Sequence, residues 1–206
     1  MSRRLAPVAI LGLALASFAG AALAHHPMDG ALPGTFVEGF LSGLGHPLIG
    51  IDHAAFILAT GFLLARVTGG LWGLGALILG TLAGAALFLG AVTLPAAEIG
   101  VALSVVLVGA LVLARRRLDL PRFAAGLALA GLLHGQAYAE SILGAEATPL
   151  AAYLFGFSLI QGLVGATAFA AHRRFIDARW MRAAGAAFGA LVGAVGAAFL
   201  LLGAAG

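Results

Sequence analysis

The segment from Leu71 to Leu94, LWGLGALILGTLAGAALFLGAVTL, contains no ionisable side chain. It is longer than the roughly 20 residues a helix needs to cross a hydrocarbon core. In lipid, every backbone N–H and C=O has to find a partner within the segment or around a closed barrel. Barrel strands alternate polar and apolar residues, and this segment does not, so it is read as a transmembrane helix. Runs of the same kind recur at roughly 48–65, 96–114, 123–143, 149–171 and 183–205. The pattern predicts an all-α, polytopic membrane protein with six transmembrane helices. Composition agrees, since 62% of the residues are hydrophobic and 9% charged, against about 25% charged in soluble domains.

Small residues indicate how these helices meet. Gly80 and Gly84 in the second helix, and Gly185, Gly189 and Gly193 in the sixth, recur at the four-residue spacing of close backbone contacts. The chain has no cysteine, which excludes disulfides and thiolate metal sites. A transition-metal site would have to draw on histidine, methionine and carboxylates.

The ends and loops imply an orientation. Residues 1–24 join Arg3 and Arg4 to an apolar run from Leu5 to Phe18 and then to Ala22-Leu23-Ala24, the form of a cleavable signal peptide. The mature chain is then a single domain, 25–206; an uncleaved extra helix is the alternative. Cleavage would expose His25 and His26, which with the terminal amine could chelate a divalent cation or could be an incidental pair. Outside the signal, arginines occur only at Arg66, at Arg115, Arg116, Arg117 and Arg122, and at Arg173, Arg174, Arg179 and Arg182, on alternate loops. The positive-inside bias makes those loops cytoplasmic and puts both mature termini outside, in the periplasm of a bacterial inner membrane. This also accounts for the net charge of +3 without a nucleic-acid partner. Residues 31–45 are too short and interrupted to span, and predict an interfacial helix or re-entrant lead-in, or else a loop. Pro47 is expected in the first turn of the first spanning helix, with His46 capping it at the outer surface.

Against this apolar background, GHPLIGIDH places His46, Asp52 and His53 at or inside that helix. An ionisable group at helix depth costs about 2.5–3.5 kcal/mol on insertion scales, so its first reading is functional. In a regular helix His46 and His53 share a face but sit about 10 Å apart. Either Gly50 lets the helix unwind and draws them together, or His46 serves the entrance and His53 a deeper site. The fourth helix carries His134, with Tyr138 on the same face and Glu140 pointing elsewhere. Gln161 in the fifth reaches comparable depth; Tyr138 and Gln161 either line a path or pack. Histidine with carboxylate suits nickel, cobalt or zinc better than alkali ions. His172, beside Arg173, reads as an interfacial residue.

HPLIGIDH resembles the H-x5-D-H signature of the HupE/UreJ proteins, secondary permeases for nickel or cobalt, and the resemblance covers nearly the whole chain. His46, Asp52 and His53 match this motif, and His134, Gly135 and Ala137 match a second one, F-H-G-x-A-H-G-x-E. Leu133, Tyr138, Ala139 and Ser141 stand where the family commonly has Phe, His, Gly and Glu, with a carboxylate displaced to Glu140. That tyrosine and earlier glutamate are similar to a branch associated with cobalt. The resemblance implies inward transport of a divalent transition-metal ion. His25 and His26 would capture it, His46 and Glu38 would line the entrance, and Asp52, His53, His134 and Glu140 would replace its water. No resident cofactor is implied, and no P-loop is present, so this chain is not expected to hydrolyse ATP. Buried histidines on the oppositely directed first and fourth helices would fit two inverted three-helix repeats. The alternatives are a metal-binding accessory or sensor protein and, with a poor match around Ser42, an intramembrane hydrolase; no enzyme activity is expected.

Overall fold

The computed structural model describes residues 31–203, so the signal segment and His25 and His26 lie outside the described residues. The described chain folds into seven helices and no strands: α1 Phe36–Ile49, α2 Ile51–Leu64, α3 Leu71–Leu89, α4 Ala97–Ala114, α5 Leu120–Glu140, α6 Ala147–Phe175 and α7 Met181–Gly203. Helices occupy the expected segments to within about five residues, except at the beginning.

There the expectation of one helix over 48–65 with a lead-in before it needs correction. The lead-in is itself a helix, α1, started by a capping box: the Glu38 N–H donates to Thr35 Oγ1 at 3.2 Å, and the Thr35 N–H donates back to Glu38 Oε2 at 3.1 Å. Pro47 lies near the C-terminal end of α1, not in the first turn of a new helix. It has no N–H to give the carbonyl four residues back, which weakens that turn. Three residues later Gly50 leaves helical geometry at φ −69° and ψ 102°, ending α1 and starting α2, and the axes bend by 78°. His46 is consequently buried beside the bend instead of capping a helix at the surface.

Among the described residues, α3, α4, α6 and α7 are each long and apolar enough to cross a membrane, and the bent pair α1–α2 together makes a fifth candidate. Helix α5 has 21 residues, about 31 Å of rise, but His134 and Gln136 interrupt its apolar run. Small residues set the packing as anticipated. A β-carbon on Gly80 or Gly84 would fall 2.2 or 2.1 Å from the carbonyl oxygens of Ala128 and Leu132, so α3 and α5 run parallel in near contact. Gly39 and Gly43 of α1 abut the carbonyls of Pro149 and Tyr153 in the same parallel fashion. Helices α4 and α7 meet antiparallel, with Gly189 against Val112 and Gly109 against the backbone of Gly193. Gly185 instead faces the Phe62 ring. The Phe56, Leu63, Leu77, Val105 and Val192 side chains belong to the apolar core between these pairs.

Candidate metal centre

The bend at Gly50 builds the site. It carries His46 on the last turn of α1 and Asp52 and His53 on the first turn of α2, and brings the two imidazoles to a centroid separation of 5.9 Å. A straight helix would leave them about 10 Å apart, so local unwinding is the alternative the structure adopts. The glycine is needed for room: a β-carbon there would lie 2.7 Å from His53 Cδ2 and 3.3 Å from Asp52 Oδ1. The carbonyl end of α1 and the N–H end of α2 both terminate here. Asp52 thus sits at a positive helix terminus and His46 at a negative one, the polarity each prefers when charged.

The third histidine arrives from α5. His134 Nδ1 is 3.0 Å from His53 Nδ1, and His134 Nε2 is 2.9 Å from Ser104 Oγ on α4. Ser104 donates its only proton to the Val101 carbonyl at 2.7 Å. Its contact with His134 therefore has to be accepted, which assigns the His134 proton to Nε2 and leaves Nδ1 as an acceptor. His53 then supplies the Nδ1–H between the rings, and its Nε2 is the acceptor nitrogen. Such a network-based assignment gives two neutral imidazoles in defined tautomers. The Phe56 ring stacks on His134 at 4.4 Å and fixes the plane of the imidazole.

His46 is anchored by hydroxyls. Its Nδ1 lies 3.0 Å from both Tyr153 OH and Ser141 Oγ, while Tyr153 OH donates to the Tyr138 carbonyl at 2.8 Å. With the tyrosine proton so committed, His46 is the donor to it. Tyr138 packs edge-on against His46 at 5.1 Å and His53 at 4.6 Å. Asp52 Oδ2 is 3.8 Å from His53 Nδ1, and the other carboxylate oxygen, Oδ1, is buried without a hydrogen-bond partner in the protein. The groups form a row, Tyr153 and Ser141, then His46, His53, His134 and Ser104, with Asp52 alongside. Among the described residues no three His, Asp or Glu side chains are gathered to hold one metal ion.

A sequence model of the family described as HupE / UreJ protein matches residues 13–199. The chain belongs to the HupE/UreJ family. Among curated proteins it is similar to Protein HupE of Rhizobium leguminosarum bv. viciae, 31% identical over 120 residues, a match that spans 57% of this chain and 63% of that protein. No solved structure matches the chain significantly.

Within this HupE/UreJ chain, four of the residues singled out in the sequence, His46, Asp52, His53 and His134, lie in one row of neighbouring side chains without sharing a single coordination sphere, and Tyr138 packs against His46 and His53. Glu140 is exposed at the C-terminal residue of α5 and takes no part in the row. Glu38 uses its carboxylate to cap α1, accepting from the Gly34 N–H at 2.8 Å as well as from Thr35. Gln161 is buried, with Oε1 3.3 Å from Thr81 Oγ1, and its Nε2 has no partner in the protein. His172 is 5% exposed, its side chain buried against α2. Its Nδ1 is 2.6 Å from the Phe62 carbonyl near the end of α2, and its ring stacks on Phe62 at 3.6 Å. Ser104 and Tyr153 went unremarked in the sequence, although each is an isolated hydroxyl-bearing residue in an apolar run, where a buried polar group needs a reason.

Proposed function

We propose that this chain is a secondary permease that carries a divalent transition-metal ion, nickel or cobalt, inward across the bacterial inner membrane. The observation that carries the reading is the meeting of His53 and His134, from a broken helix and a separate one, at 3.0 Å inside an apolar bundle. In lipid-embedded proteins, broken helices with paired polar side chains mark ion pathways. The acceptor Nδ1 of His134, backed by Ser104 on its other nitrogen, has the outer-shell support that metal-ligating histidines use. Ionised Asp52 would offset the ion's charge. Because the donors stand in a row instead of a cage, they suit an ion handed from one to the next better than one held permanently, and this favours a permease over a metal-binding accessory protein. Thr60 and Gln161, each with a buried polar atom lacking a protein partner, would continue the path; Thr60 lies about 10 Å beyond His53 along α2.

In this reading α5 and the bent α1–α2 pair complete six spans. Arginine-bearing loops are cytoplasmic, and a cleaved signal leaves His25 and His26 in the periplasm to capture the ion. The helix pairing supports inverted repeats. Exchanging the first three spans with the last three converts the parallel α1–α6 contact into α5–α3 and returns the antiparallel α4–α7 pair to itself. Uptake of labelled nickel and cobalt, each competed with the other and with zinc, in cells lacking their own transporters tests the proposal. The intact chain should accumulate one of these metals, and His53→Ala and His134→Ala should each abolish accumulation. Accumulation unaffected by both substitutions would exclude it.

A further inference from the structure

The end of the bundle remote from His46, His53 and His134 holds a cavity of about 630 Å³; Arg66, Arg115, Arg179 and Arg182 line it together with His172, and Asp177 is the sole carboxylate. Among the described residues none of these four arginines makes an ion pair. Two are fixed in place by backbone contacts: Arg66 Nη2 donates to the Arg115 carbonyl at 2.8 Å, and Arg115 Nη2 donates to the Arg182 carbonyl. Arg115 itself caps α4 with φ +51°, a left-handed conformation more usual for glycine. Each guanidinium has five N–H donors in a planar fork, so one carbonyl contact leaves most of the fork for another acceptor. Burial and the neighbouring Arg115 charge both push the Arg66 guanidinium below its usual pKa, as expected where like charges are crowded.

A mouth with this charge opposes a divalent cation and favours an anion. We propose that it binds a phosphate group, held by the forks of Arg66, Arg115, Arg179 and Arg182. Planar bidentate contact is the way arginine recognises phosphate. Inorganic phosphate would fill little of this volume, whereas a glycerophospholipid headgroup would also cover the apolar wall provided by Phe62 and Met181. The same end exposes Trp72 at 80% and Trp180 at 54%, and tryptophans of this kind sit at headgroup depth. The source favoured is therefore an anionic lipid of the adjacent leaflet, the cytoplasmic one in the orientation proposed above.

The test uses the full chain purified in neutral detergent without metal, so its outcome is separate from that of the transport proposal. Native mass spectrometry and thermal unfolding would be compared with phosphatidylglycerol, phosphatidylcholine, inorganic phosphate and sn-glycerol 3-phosphate. Phosphatidylglycerol should be retained and raise the melting temperature, phosphatidylcholine should do neither, and Arg179→Gln with Arg182→Gln should weaken retention about tenfold or more, the loss of one or more charge-assisted hydrogen bonds. Arg66→Lys with Arg115→Lys keeps the loop charge and removes the forks; it should weaken retention similarly without altering membrane insertion. Equal protection by inorganic phosphate would support the phosphate site and assign its occupant to a soluble anion. Equal retention of both lipids, with neither pair of substitutions changing it and no effect of either phosphate, would overturn the proposal.

Discussion

Replacing Gly50 by alanine separates the site from the fold. The backbone at Gly50, φ −69° and ψ 102°, is open to any L-residue, so the substitution adds one methyl group without strain in the chain. That methyl would stand 2.7 Å from His53 Cδ2, where ordinary contact begins at 3.4 Å, so the imidazole has to retreat by about 0.7 Å. It is held on its other sides by His134 at 3.0 Å and the Tyr138 ring at 4.6 Å. Metal–ligand distances are satisfied within about 0.2 Å, so a shift of this size disengages His53 from any geometry it shares with His134. Disturbing the support of a metal-ligating histidine costs roughly 10–100-fold in affinity, and G50A should raise the half-saturation concentration for nickel or cobalt uptake by that factor. Thermal stability should fall by about 1–3 kcal/mol, the cost of overpacking a buried ring that is hemmed in on its other sides, offset in part because alanine has less freedom to lose on folding. Gly75→Ala, whose methyl would meet nothing within 4 Å, is the control: half-saturation should not change, while stability should rise by about 0.5–1 kcal/mol, the gain of alanine over glycine inside a helix. An unchanged half-saturation in folded G50A protein would refute the steric account of the bend.

Other substitutions probe the remaining contacts. Ser104→Ala removes the group that accepts from His134 Nε2 at 2.9 Å, and uptake affinity should fall about tenfold or more while protein level in the membrane holds. Tyr153→Phe keeps the ring and deletes one of two hydroxyls 3.0 Å from His46 Nδ1; the cost should be smaller than that of S104A in the same uptake assay, since Ser141 remains. Gly84→Leu forces a side chain against the Leu132 carbonyl, 2.1 Å from the β-carbon position, and should abolish folded protein as judged by detergent-extracted size-exclusion profiles. Thr35→Ala removes the side-chain acceptor of the α1 capping box and should lower stability by about 0.5–2 kcal/mol, with saturating uptake unchanged.

Long uncharged runs made the bundle legible in the sequence, because lipid leaves the backbone so few options. The four-residue glycine spacing likewise identified contacts at Gly80, Gly84 and Gly189. The bend was harder to place. A proline near helix termini fits the first turn of one helix as well as the last turn of another, and it takes the bent pair of helices to decide that Pro47 belongs to the second case. The spacing of His46 and His53 left both a joint site and two separate sites open for the same reason. His53 and His134 are 81 positions apart, and only the parallel packing of α3 on α5 and the route of α2 bring them together. Ser104 and Tyr153 follow from pairing across helices, which periodicity within one helix does not reveal. Glu140 illustrates the converse: a carboxylate close to a motif in sequence can still be turned to solvent by its position on the helix.

The central claim is that buried imidazoles from α1, α2 and α5 receive the ion. Metal K-edge X-ray absorption on the purified chain loaded with one equivalent of nickel or cobalt measures this directly. The account predicts the multiple-scattering signature of imidazole ligands, reduced in both His53→Ala and His134→Ala. An all-oxygen shell, or an imidazole signature that both substitutions leave unchanged, would contradict it.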